Sequence, residues 1–280
     1  MVTGKKAAAI FMAIGAALVV INWRAIRRDS DALGEAAKTF VEVSSESVSG
    51  DNEGKLVVFS GALTGEAVTD SDLNVSANGF KLKRIVETYQ WVEDCDSSDS
   101  GEKACTHDKE WREGIVDSSS FEETSFSNPK TLRYESANFY ARNAKIGAFA
   151  LPSKLLEKYV GYKDLEFDDT LAFTDNDFSV QGGYLTNAAD ISKPYVGDVR
   201  IKYQYAEYGD ATVMAKQVDS TVAPYDTKDG EIFYIKSGKM NGEEMIATVK
   251  KGSNSFRWVV LAIGAALFLF ATFALFKSKK

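Results

Sequence analysis

The chain of 280 residues has one histidine, two cysteines, and no aspartate or glutamate before Arg24 or after Phe256. Each scarcity excludes something. A single histidine, His107, cannot build a multi-histidine metal centre. As a general base it would need a nucleophile in reach, and no Gly-x-Ser-x-Gly elbow, phosphate-binding glycine loop or His-Glu-x-x-His motif supplies one. His107 reads as a solvated loop residue, no catalytic residue is assigned, and the chain is expected not to be an enzyme. The two cysteines, Cys95 and Cys105, allow at most one intrachain disulfide. With His107 they give Cys-x9-Cys-x-His, which matches no usual zinc knuckle, and a fourth ligand such as Asp108 is not singled out. Asp94, Asp96, Asp99 and Glu102 offer oxygens to calcium, but their order departs from an EF-hand loop. No metal and no cofactor is expected. The missing terminal acids leave every negative charge in the middle. Setting aside six terminal basic residues from 33 leaves 27 against 40 acids, a net −13, which makes nucleic acid a poor partner.

What the ends do contain is apolar sequence. Residues 258–276 carry no charge, and nineteen residues rising about 1.5 Å each nearly match a hydrocarbon core of roughly 30 Å. Trp258 suits one interface, while Lys277, Lys279 and Lys280 can reach head groups at the other. Residues 7–23 form a shorter run between Lys5-Lys6 and Arg24, Arg27 and Arg28. A cleaved signal peptide would show a small-residue cleavage site, and Asn22-Trp23-Arg24 is a poor one, so an uncleaved anchor is expected. Two spans put both termini on one side and residues 24–256 on the other. Five basic residues flank the outer ends and six the inner ends, so that count does not orient the chain. Translocation of a long acidic loop and its pair of cysteines both favour an exported middle.

The spans share a hexapeptide. Ala13-Ile-Gly-Ala-Ala-Leu18 recurs as Ala262-Ile-Gly-Ala-Ala-Leu267. Small residues at this spacing let another backbone approach closely. Ala13, Gly15, Ala17, Ala262, Gly264 and Ala266 are the expected helix-packing residues, within one chain or between protomers.

Between the spans, Ser30-Asp31 can cap a short membrane-proximal helix ending near Phe40, and residues 55–63 read as the first strand. Along residues 80–93 the apolar positions change phase, which requires either a bulge or cover on both faces. The loop from Cys95 to Cys105 then implies a long antiparallel hairpin with a disulfide across its base, with a metal site or free thiols as alternatives. If Cys95 faces Cys105, Tyr89 opposes Trp111, a pair worth about 0.2–1 kcal/mol over alanine. Tyr89, Trp91 and Trp111 are core or subunit-contact aromatics, core favoured because buried aromatics ordinarily serve packing. Residues 131–141 and 145–150 read as strands, and 153–159 as a short helix capped by Ser153. Residues 164–183 read as irregular with short strands. Val199, Ile201, Tyr203 and Tyr205 alternate with the water-facing Arg200, Lys202 and Gln204 in a strand that hairpins through Tyr208-Gly-Asp210 into residues 211–218. A last strand covers 231–236, and Asn241 caps a helix over 242–249.

Several blocks resemble the LUMA family, that of transmembrane protein forty-three. They are Asn52-Glu-Gly-Lys-Leu-Val57 with Gly61-Ala-Leu63, Lys81-Leu-Lys-Arg84, Glu87-Thr-Tyr-Gln-Trp-Val-Glu93 and Glu110-Trp-Arg112. Asn128-Pro129, Lys145-Ile-Gly147 and Gly197-Asp-Val-Arg-Ile201 extend the similarity over nearly the whole middle domain. The resemblance implies a membrane protein whose large domain sits in a lumen. Animal members lie in the endoplasmic reticulum and inner nuclear membrane and associate with lamina proteins and with themselves. It supplies no catalytic residue. Animal members carry several spans after the domain, whereas one follows it here, which makes a two-span prokaryotic member the expectation.

The expected fold is α+β, with N- and C-terminal transmembrane helices flanking a β-rich extramembrane domain that has short helices. The expected divisions are a terminus 1–6, span 7–23, membrane-proximal helix and linker 24–54, β-rich domain 55–249, linker 250–257, span 258–276 and basic tail 277–280. The function expected is a membrane-anchored, non-enzymatic scaffold or interaction protein that self-associates, the alternative being a tethered periplasmic ligand-binding or sensory domain. Its partners are the lipid bilayer, a second copy of itself and other membrane proteins. A bacterial inner membrane with cytoplasmic termini and residues 24–256 periplasmic is the expected location, with the endoplasmic reticulum or inner nuclear membrane as the alternative.

Overall fold

The computed structural model describes residues 4–97, 103–167 and 175–277. Asp99, Glu102, Lys279 and Lys280 lie outside them. Two helices of 36 residues, α1 (Gly4–Thr39) and α3 (Gly242–Lys277), flank a strand-rich middle, which is the α+β arrangement expected. Both contain a stretch long and apolar enough to cross a membrane. At about 1.5 Å per residue each helix is roughly 54 Å long, far more than a bilayer core needs.

The surplus length corrects two expectations. Ser30-Asp31 does not start a second helix, because α1 runs through it without a break. Arg24 to Arg28 are helix formers, and the amide groups a cap would satisfy already have partners one turn back. Likewise residues 250–257 are helical, with Gly252 inside α3. Asn241 does cap α3. Its Oδ1 accepts from Glu244 N at 2.9 Å, and Asn241 N donates to the Glu244 carboxylate at 3.0 Å, a reciprocal capping box.

The chain divides into two compact units. The first contains residues 1–63, 145–159 and 209–280. In it Leu56–Thr64 pairs antiparallel with Asp210–Val218 and parallel with Val41–Glu42. Lys145–Ile146 continues the sheet from Leu56–Thr64 and turns into Phe149–Ala150, which meets Thr221–Ala223, and that strand returns to Asp210–Val218. The strands therefore close a ring. Gly147 makes the tight turn at φ +57, where any Cβ would strike the Ser45 carbonyl. Val57, Phe59, Val213 and Ala215 are buried on one face, with Phe59 stacked on Phe149 at 4.2 Å. On the other, Leu56, Val58 and Met214 pack against Ala32, Leu33 and Ala36 of α1 and Met245 and Val249 of α3. Helix α2 (Ser153–Leu156) is shorter than expected. Its N-cap is Pro152, with Ser153 inside the first turn, and it buries Leu155 and Leu156.

The second unit contains residues 64–144 and 160–208. Its sheet runs Ser179–Gln181, Tyr184–Thr186, Val199–Glu207, Gly79–Ser97, Lys103–Glu113. The small hairpin Val68–Asp70/Val75–Ala77 contributes Val68, Leu73 and Val75 to a core with Leu82, Val86, Ile201 and Tyr203. The phase change in the long strand goes with cover on both faces, since register holds from Lys81 to Ser97 while Leu82, Ile85 and Val86 are all buried. The strand does carry a register shift, between Gly79 and Lys81 opposite Ala206 and Glu207, but it lies ahead of the phase change.

The expected hairpin of residues 199–218 does not form. Val199–Glu207 pairs with Gly79–Ser97, and Asp210–Val218 with Leu56–Thr64, so the two strands belong to different sheets. A two-residue link allows a hairpin but does not enforce one, and each strand has a longer apolar match elsewhere. Residues 131–136 are likewise not a strand, the ladder there being confined to Ala137–Tyr140.

Candidate interaction site

Three constellations concentrate the chemistry of the described residues. The first lies on the hairpin Gly79–Ser97/Lys103–Glu113. Cys95 pairs with Cys105 and Tyr89 with Trp111, the register that the cysteine pairing implied. The cysteines form a disulfide with an S–S length of 2.11 Å, so neither sulfur offers a thiolate to a metal. Glu93 and the two sulfurs are clustered, but the disulfide leaves only the carboxylate as a donor.

Strand alternation puts Glu87, Tyr89, Trp91 and Glu93 on one face, with Trp111, Lys109 and His107 opposite them. Tyr89 and Trp111 rings are 5.3 Å apart, and Lys109 Nζ lies 4.6 Å from the Trp91 ring. Arg200 does not face water as its alternation implied. It is ion-paired to Glu87 at 2.7 Å, and its guanidinium lies 4.7 Å from Trp111 and 4.6 Å from Tyr184. A planar, weakly hydrated guanidinium gains more from such stacking than from full exposure.

Residues 114–130 strap part of this face. Asn128 Oδ1 accepts from Trp91 N at 2.7 Å, and Asn128 Nδ2 donates to the Trp91 and Val116 carbonyls. Gln90 donates to the Gly114 carbonyl and accepts from Val116 N. Phe126 sits edge-on to Trp91 at 4.6 Å and stacks on His107 at 4.0 Å. His107 is therefore a strand residue with its side chain 5% exposed, its Nε2 2.9 Å from Glu93. The solvated-loop reading failed because the strap, separate in sequence, supplies the ring that covers it.

The second constellation is buried. Arg84 donates to Asp70 at 2.6 Å, to Asp72 at 3.1 Å and to the Glu135 carbonyl at 2.9 Å, and Tyr203 Oη donates to Asp70 at 2.6 Å. Burial alone would lower the Arg84 pKa, but the Asp70 carboxylate, the Tyr203 oxygen and the Asp72 bond outweigh it and leave the pKa raised. Burial, followed by its bond to Asp70, pushes the Tyr203 phenol well above its ordinary range. The pair is closed by its own partners and serves the core. Arg84 and Tyr203 sit in otherwise regular strand sequence, and only the acid pair Asp70 and Asp72, a short distance upstream, hinted at a partner.

The third is the helix pair. Gly15 and Gly264 meet where α1 crosses α3: a Cβ on Gly15 would lie 2.7 Å from the Gly264 carbonyl oxygen and from Phe268 N. Ala8, Ile26 and Ala271 are buried, while Ala13, Ala17, Ala262 and Ala266 are exposed. Two positions along a helix is about 200° of rotation, so the alanines face away from the crossing. The six small residues thus divide into an inward glycine pair and outward alanine stripes. Arg257 and Asp29 form an ion pair between the same helices.

The family model described as "Transmembrane protein 43" matches residues 88–279. "Transmembrane protein 43" of mouse is 31% identical over 268 residues, covering 88% of this chain and 67% of that protein. The human protein of the same name is 29% identical over equal coverage, and a Drosophila homolog is 28% identical over 78% of this chain and 61% of its own. These relatives are animal proteins, and they give the prokaryotic, bacterial-membrane expectation no support. No solved structure matches the chain.

Proposed function

The chain belongs to the transmembrane protein 43 family, a membrane protein with two candidate spans, and from that premise we propose a non-enzymatic scaffold that holds its strand-rich middle in a lumen. The observation that carries this reading is the continuity of α1 and α3. Ala32, Leu33, Ala36, Met245 and Val249 extend the apolar ends into the core of the first unit, so the anchor and the unit it presents share one set of packing contacts. Flexible tethers would serve an enzyme or receptor equally well, whereas a rigid mount suits a protein whose role is to present a surface.

The lumen proposed is that of the endoplasmic reticulum and the continuous inner nuclear membrane, with residues 24–256 inside it and both termini in the cytoplasm. Animal relatives support this choice, as does the Cys95–Cys105 disulfide, since such bonds persist in oxidising compartments. Self-association runs through the outward stripes of Ala13, Ala17, Ala262 and Ala266. Other membrane proteins can dock there in the same way. The half-buried Tyr89 and Trp111 offer a second contact surface.

The test is native mass in a mild detergent for the full chain and for variants with leucine at Ala13 and Ala17, or at Ala262 and Ala266. The reading predicts an oligomer that dissociates in the leucine variants while the secondary structure content is kept. A monomeric parent, or an assembly indifferent to all four changes, would remove self-association from the proposal.

A further inference from the structure

The hairpin Val68–Asp70/Val75–Ala77 carries Asn74-Val75-Ser76 at its turn, the single Asn-x-Ser/Thr triplet in the sequence. Asn74 is exposed with φ +56. Its neighbours Leu73 and Val75 are both 0% exposed and tie the turn to the core, while Ser76 is exposed, its Oγ 2.9 Å from Thr69 Oγ1. The turn therefore holds acceptor and hydroxyl residues on the solvent side of a short, firmly anchored hairpin.

We propose that Asn74 is an N-glycosylation site, accepting a preassembled oligosaccharide from a polyprenyl-diphosphate donor. In that transfer the Asn74 side-chain nitrogen forms a bond to C1 of the first sugar and loses one proton. The C1–O bond to the diphosphate breaks, and the lipid diphosphate leaves with the bonding pair. The proposal rests on the lumenal placement above, because the donor and its transferase act on the lumenal side. The Cys95–Cys105 disulfide in the same domain supports that placement independently, since such bonds persist in oxidising compartments. Asparagine also tolerates a left-handed turn better than most residues, which is why the test reads the sugar and not the residue.

The experiment expresses the full chain in animal cells and compares gel mobility before and after peptide N-glycosidase treatment. The parent chain should lose one step of apparent mass, and Asn74→Gln and Ser76→Ala should show no step. Ser76→Thr, which keeps the triplet and a hydroxyl, should retain it and so controls for misfolding. Asp117→Asn creates Asn-Ser-Ser at a second exposed position, where asparagine can replace the aspartate that accepts from Ser119 N. That variant should show two steps. A step seen in Asp117→Asn but not in the parent overturns the Asn74 assignment while leaving the domain lumenal. A step that persists in Asn74→Gln overturns it as well. No step in either chain overturns the lumenal placement, and the site with it.

Discussion

Asn128 closes both backbone hydrogen-bonding groups of Trp91, accepting from its N–H at 2.7 Å and donating to its carbonyl at 2.9 Å. One side chain thus takes the place of a strand at the edge of the long strand, and it anchors the segment whose Phe126 covers His107 and Trp91. Asn128→Ala leaves two half-buried backbone groups and the Val116 carbonyl without this partner, a cost of about 1–3 kcal/mol. The expected result is a lowered unfolding midpoint, with faster hydrogen exchange confined first to residues 114–130 and the facing hairpin. Exchange spread evenly over the chain would show that the strap is not held by Asn128.

How much of this was legible in the sequence follows from the range over which each cause acts. The apolar spans, the Asn241 cap and the Cys95–Cys105 register are set by residues close in sequence or by one covalent bond, and they could be read directly. The break imagined at Ser30 could not be excluded, because a capping residue inside a helix looks the same as one at its start. The pairing of Val199–Glu207 with Gly79–Ser97, and of Asp210–Val218 with Leu56–Thr64, depends on matches between strands more than a hundred residues apart. Local turn chemistry at Tyr208-Gly209 pointed instead to a hairpin. His107 and Arg84 were missed for the same reason: Phe126 and Asp70 become their neighbours only once the chain has folded.

Arg84 and Asp70 can be separated experimentally. Arg84→Met leaves the Asp70 carboxylate, itself 0% exposed, without its cation, and truncating one partner of such a pair costs about 3–5 kcal/mol. Asp70→Asn in the Arg84→Met background should recover part of that loss, because an amide keeps the Tyr203 bond without a buried charge. Chemical denaturation of the purified protein in detergent, followed by near-ultraviolet circular dichroism, reads both. Equal destabilisation in the single and double variants would count against the pair as the source of the effect.

Tyr203 adds a pH dependence with a definite sign. Burial and the Asp70 bond raise its pKa in the folded state, so folding favours the protonated phenol. Its contribution is fully present below the unfolded value near 10 and declines as pH rises above it. Tyr203→Phe should lower stability by about 1 kcal/mol at neutral pH through loss of the hydrogen bond, and should show a shallower loss between about pH 10 and 11. Parallel alkaline melting curves for the two proteins would assign the alkaline loss to other groups.

The Cys95–Cys105 disulfide closes a loop with a sequence separation of 10, and in the chain-entropy account a loop of this size contributes about 2–3 kcal/mol. A Cys95→Ser/Cys105→Ser chain should melt at lower temperature, the hairpin end opening before the sheet as a whole. Trp91 and Trp111 lie further along the same ladder, each held by neighbours that do not depend on the sulfurs. Their fluorescence should therefore report unfolding later than amide exchange at residues 103–107. Simultaneous loss of both signals would mean that the disulfide supports the whole sheet rather than its end.

Gly15 and Gly264 distinguish packing inside the chain from packing between chains. A leucine at Gly15 would drive its side chain into the backbone of α3 at Gly264 and Phe268, where no side-chain rotation can relieve the clash. Overpacking of this kind costs about 1–3 kcal/mol or more, and here it would push the helices apart along a seam that continues to Arg257 and Asp29. Leucine at Ala17, on the opposite side of the same helix, adds volume on its outward face and leaves that seam intact. Cysteines placed in pairs on the inner faces of α1 and α3 should cross-link efficiently in the parent and in Ala17→Leu, and poorly in Gly15→Leu. The thermal midpoint in detergent should fall in the same order, because the seam also positions Ala32, Leu33 and Ala36 against the sheet. Were Gly15→Leu to cross-link and melt like the parent, the glycine contact would not be what holds the helix pair together, and the mount would rest on the contacts of Ala32, Leu33, Ala36, Met245 and Val249 with the sheet alone.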